Sequence, residues 1–131
     1  MLTEKDYCDK DLSLALKEAG YIGQGRCYYD LDKEPNKLRH FGIQVLTTRS
    51  AEALNFVLAV HLYDAQKWLR EVKKIHIEIL YQPACWTGKI YDLKERNYIK
   101  GFTFFESFED ALYTLIKEAV KILKENETIH E

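Results

Sequence analysis

Three observations predict an α+β fold: a two-layer, mainly antiparallel sheet with about three helices packed on one face. First, Ile75, Ile77, Ile79 and Tyr81 alternate with His76, Glu78, Leu80 and Gln82, the period of a strand with two unlike faces. Second, two more strand-like runs follow, 86–93 and 98–104, each after a turn, so the C-terminal half reads as a three-strand meander. Third, helical stripes flank that meander, Leu62, Ala65, Leu69 and Val72 before it and Ala111, Leu112, Leu115, Ile116, Ala119 and Leu123 after it.

In chain order, Cys8, Leu12, Ala15, Leu16 and Ala19 predict a first helix over residues 5–19. Thr3 and Asp6 resemble a capping box, and Gly20 is placed to end the helix in the left-handed conformation. Residues 26–31 predict a short strand, 32–37 a turn and 41–46 a second strand. Residues 50–63 read two ways. Leu54, Phe56, Leu58, Val60 and Leu62 alternate as in a strand, yet no breaker separates them from the helix that follows, so one long helix over 50–74 also fits; a helix whose firm part is 62–74 is favoured. Ile75, Ile77, Ile79 and Tyr81 are expected to face the helices. Ser107 is expected to cap the last helix.

The 131 residues suit one domain over 1–131, and hydrophobic and charged contents of 47% and 31% are those of a globular chain. Nine tyrosines and six phenylalanines supply a core with aromatics to spare. No apolar run approaches the roughly 18 residues of a membrane span, and residues 1–11 carry too much charge for a secretory leader. Three widely separated cysteines fit reduced thiols, hence a cytoplasmic setting. Net charge is −2, without global attraction to nucleic acid. Residues 35–74, however, hold seven basic and three acidic side chains, between two acidic ends.

Three blocks resemble a known group. Ala65-Gln66-Lys67-Trp68-Leu69-Arg70-Glu71 matches an A-x-x-W-L-R-E helix leading into an alternating strand. Leu16-Lys17-Glu18-Ala19-Gly20-Tyr21 matches L-K-E-x-G-[FY], and Ser107-Phe108-Glu109-Asp110-Ala111-Leu112 matches [ST]-[FY]-E-[DE]-A-L. In this order the blocks resemble a family of small uncharacterised proteins from phages and mobile elements of gut anaerobic bacteria. Val60-His61 departs from the proline and small polar residue that begin the helix in that group. The resemblance implies a mobile-element setting and carries no activity with it.

Lys67, Arg70 and Lys74 lie at i, i+3 and i+7, so a helix through them would offer one basic face to phosphates. The helix–meander–helix order also resembles a double-stranded RNA-binding domain. Where that domain has basic residues at its last helix, however, this chain has Glu106, Glu109 and Asp110. Asp30, Asp32 and Glu34 alternate like the start of a calcium loop, but Pro35 and Phe41 stand where glycine and glutamate are needed. Cys85 with His76 across a hairpin has the residue types of a thiol nucleophile and its base. The glycines at 20, 23 and 25 follow a helix, whereas a phosphate loop follows a strand. Trp68, Leu80 and Trp86 are candidate interaction residues, since any of them left exposed would anchor a partner. The expectation is therefore a non-enzymatic protein without cofactor or metal. It would act through a protein partner or as a homo-oligomer, or else through nucleic acid bound on the 67–74 face.

Overall fold

The computed structural model describes residues 4–130. The fold is α+β, with four α-helices and three antiparallel sheets among the described residues. Chain contacts group into two compact units, one ending at His61 and one beginning at Leu62.

The first unit opens with a 3-10 turn, Glu4–Asp6, and helix α1, Lys10–Glu18. The helix starts later than residue 5 because the preceding backbone is engaged elsewhere. Cys8 N–H donates to Val60 O at 2.7 Å, and Tyr7 forms a β-bridge with His61. Asp9 takes the cap by accepting from Leu12 N–H at 2.9 Å, in place of the expected Thr3–Asp6 box, whose Thr3 lies outside the described residues. Gly20, at φ +105°, ends α1 as expected. Tyr21 N–H reaches Leu16 O at 2.9 Å and Gly20 N–H reaches Lys17 O at 3.0 Å, a Schellman closure.

Strands β1 (Gln24–Gly25) and β4 (Leu46–Thr47) pair with each other. Strand β2 (Cys27–Asp30) lies between β3 (Arg39–His40) and β5 (Phe56–Leu58). The strand expected over 41–46 is a loop for most of its length. Gly42 turns at φ +85° and Ile43 is 90% exposed, so only Leu46 enters a strand. Residues 50–63 are neither one helix nor one strand. Helix α2, Thr48–Ala53, is opened by a Thr47–Ser50 capping box, and β5 follows it. The breaker between them is Asn55 at φ +60°, a left-handed position that asparagine tolerates better than most side chains.

Beneath β2 and β5, Cys27, Tyr29, Val57 and Ala59 form a buried cluster. Its polar groups are paired around Cys8. Tyr29 OH donates to Cys8 O at 2.7 Å, Ser13 Oγ donates to the same oxygen at 3.3 Å, and Val60 N–H donates to Ser13 Oγ at 3.3 Å.

The second unit begins with α3, Leu62–Glu71, which buries Leu62, Ala65 and Leu69. The helix stops short of 74: Lys74 sits at φ +59°, and Val72 is 58% exposed rather than part of the buried stripe. The meander follows as β6 (Ile75–Gln82), β7 (Cys85–Asp92) and β8 (Asn97–Phe105), in the order β6-β7-β8. Its register places Ile75, Ile77 and Ile79 opposite Asp92, Ile90 and Gly88. Ile75 and Ile77 are buried and Ile79 is half-buried, so the alternation was read on the correct face. Tyr81 is expected to be buried with them and is 66% exposed, because it lies beside the β6–β7 turn, where its ring meets Trp86 edge to face.

Helix α4, Phe108–His130, lies across this face. A Cβ built on Gly88 would fall 2.6 Å from a methyl of Leu115, so strand and helix approach closely where no side chain intervenes. Ser107 caps α4 as expected, accepting from Asp110 N–H at 3.0 Å. At the β6 edge, Gln66 Nε2 on α3 donates to Ile77 O at 3.1 Å. At the β8 edge, Lys100 pairs with Glu118 of α4.

Candidate functional site

The β6–β7 end of the meander holds three exposed aromatics, Tyr81, Phe104 and Phe108, while Tyr98 is exposed at the other end. The β6–β7 turn brings Tyr81 opposite Trp86, with ring centroids 5.0 Å apart, edge to face. Trp86 in turn meets Phe108, the first residue of α4, at 5.6 Å and 80°. On the neighbouring strand, Phe105 pairs with Trp86 and Phe102 with Gly88, so Thr103 and Phe104 together oppose the single residue Thr87. This is a β-bulge, and Phe104 takes it at φ +68° with 83% of its surface exposed. A bulky side chain at positive φ is an outlier that glycine or asparagine would occupy more cheaply.

Of the three interaction candidates, Leu80 is exposed on the opposite face of the sheet. Trp86 is half-buried inside the aromatic row, and Trp68 is half-buried on α3 with Lys73 Nζ 5.6 Å from its ring centroid. Reading the sequence picked out Trp86 and missed Tyr81 and Phe104. The available signal was the Phe104-Phe105 pair, since two successive residues of one strand cannot both face the core.

The basic face is shorter than its spacing implied. Lys67 and Arg70 lie on α3, whereas Lys74 lies beyond the helix end, so the three do not continue one helical row. None of the three has an ion-pair partner among the described residues.

The chain matches no protein-family model, no curated protein and no solved structure.

The remaining chemistry disperses. His76 pairs with Tyr91, six positions along β7 from Cys85. At the rise of a strand that is roughly 20 Å, too far for a nucleophile and its base. Asp30 accepts from Asp32 N–H and Asp32 accepts from Asn55 Nδ2, both at 2.9 Å, so the acidic turn is held by its own hydrogen bonds. No group of three or more His, Cys, Asp or Glu among the described residues is disposed to hold a metal ion. A cleft of about 360 Å³ in the first unit is lined by Lys17, Tyr21, Thr48, Arg49 and Glu52 among others. Its Lys17 and Glu52 pair with each other at 3.4 Å, and Thr48 Oγ1 accepts from Gly23 N–H at 3.0 Å. No helix among the described residues is long and apolar enough to cross a membrane.

Proposed function

We propose that this chain is a non-enzymatic accessory protein of a phage or mobile element, cytoplasmic, that acts by binding another protein or a second copy of itself. The observation that carries this reading is the aromatic end of the meander, where Tyr81 and Phe104 stand 66% and 83% exposed and Trp86 meets Tyr81 edge to face. Exposed aromatics clustered on a rigid sheet are the composition of an interaction hot spot, and water is a poor environment for them. The three motif blocks support the mobile-element setting. The test places a photo-crosslinking residue at position 104 and, as a control, at Glu95 in the opposite turn of the meander. A discrete adduct, to a partner or to a second copy, is expected from position 104 alone. Equal adducts from both positions, or none from either, would sink the reading.

A second reading rests on Lys67, Arg70 and Lys74 having no ion-pair partner among the described residues: nucleic acid held on the basic segment. Phosphate contacts lose affinity steeply as salt rises. Duplex and single-stranded DNA and RNA are therefore titrated at two salt concentrations against the wild type and a Lys67→Ala, Arg70→Ala, Lys74→Ala variant. Weak binding, alike in both proteins, is expected. Tight, salt-sensitive binding lost in the variant would replace the first reading with the second.

A further inference from the structure

The aromatic end of the meander carries a consistent sign of charge. Residues 79–88 and 101–112, which build it, contain no Lys, Arg or His and three carboxylates, Glu106, Glu109 and Asp110. None of the three has an ion-pair partner among the described residues. Glu109 and Asp110 lie in the first turn of α4, where the helix dipole favours them; Glu106 precedes the cap and gains nothing comparable. The nearest cation on β8, Lys100, is engaged with Glu118. Phe104 projects from this acidic rim at a backbone angle that phenylalanine disfavours.

From this complementarity we infer that the turn end of the meander docks an extended, arginine- or lysine-bearing apolar segment of a partner protein. The inference rests on the protein-binding reading above and gives it a partner chemistry. Apolar side chains of the segment cover Phe104 and Tyr81. Its guanidinium or ammonium groups reach the carboxylates and the aromatic faces, contacts that carboxylate pairing and cation–π attraction both favour. Strand β8 is an edge strand, and between its two register shifts, over residues 100–102, its outer side offers backbone groups for a short pairing with an extended chain. The same carboxylates repel phosphate, which sets nucleic acid aside at this end of the molecule.

Three labelled peptides test it by fluorescence anisotropy on the full chain: valine alternating with arginine, with serine and with glutamate. The arginine peptide is expected to bind best, and to weaken as salt rises. Two variants probe the site. Phe104→Gly removes the aromatic ring while relaxing the positive φ, so the fold is retained. The Glu106→Gln, Glu109→Gln, Asp110→Asn variant removes the charge and keeps the shape. Each is expected to weaken the arginine peptide about tenfold or more, with melting temperatures checked alongside. Equal binding of all three peptides, no binding of any, or undiminished binding to either variant would overturn the inference. Sedimentation of the same proteins separates this from the broader reading. If the wild type self-associates, Phe104→Gly does not and no peptide binds, the occupant is a second copy. The partner chemistry then fails while the interaction surface stands. With neither self-association, a position-104 adduct nor peptide binding, both fail.

Discussion

Cys8 is fully buried, and burial, reinforced by the charge of Asp9, pushes its thiol well above the usual cysteine range. Cys27 is buried under the β2–β5 pairing, and Cys85 is half-buried at the start of β7. Since the thiolate is the reactive form, exposure and ionisation point the same way at Cys8. With an excess of thiol reagent at pH 8, one cysteine of the native protein should react, and Cys85→Ser should remove that phase. Cys8 and Cys27 should react only in denaturant, and a second fast phase in the native protein would refute this. At this scale the sequence was legible where one residue had one job. Gly20 and Ser107 each fill a cap that follows from local backbone geometry. Ser13 was not legible. Its hydroxyl bridges Cys8 O and Val60 N–H, and position 60 is brought to α1 only by tertiary folding. Phe104 was missed because a strand pattern does not announce a bulge in its own interior.

Among the elements, those with sustained periodicity emerged from the sequence and the short ones did not. The meander strands and α4 repeat their pattern over enough residues to outweigh local noise. Strands of two residues, such as β1 and β3, have no period to detect, and they exist because a partner strand arrives from elsewhere in the chain. The α2–β5 boundary turns on Asn55 alone, a residue whose left-handed tolerance is visible only once its φ is known. For α4, the Ser107 cap satisfies the Asp110 N–H that the helix itself leaves without a partner. Ser107→Ala should cost about 1 kcal/mol in urea unfolding, with Ser107→Asp close to wild type. An unchanged midpoint for the alanine variant would show that the helix start does not depend on this hydroxyl.

For the molecule as a whole, the two units divide the chain at His61 and Leu62 into stretches of roughly 60 and 70 residues. At that size a stretch buries only about 60% of its unfolded surface and is marginal alone. We propose that the two units form one cooperative domain over 1–131, which predicts one thermal transition, with calorimetric and van't Hoff enthalpies equal. Two transitions, or a van't Hoff enthalpy well below the calorimetric one, would show that the units melt separately. Contact with Gln66 at Ile77 O interrupts the β6 margin of the meander. Two register shifts interrupt the β8 margin as well, so neither margin offers a long unbroken row of backbone groups, and edge-to-edge growth of copies into a fibre has no continuous template.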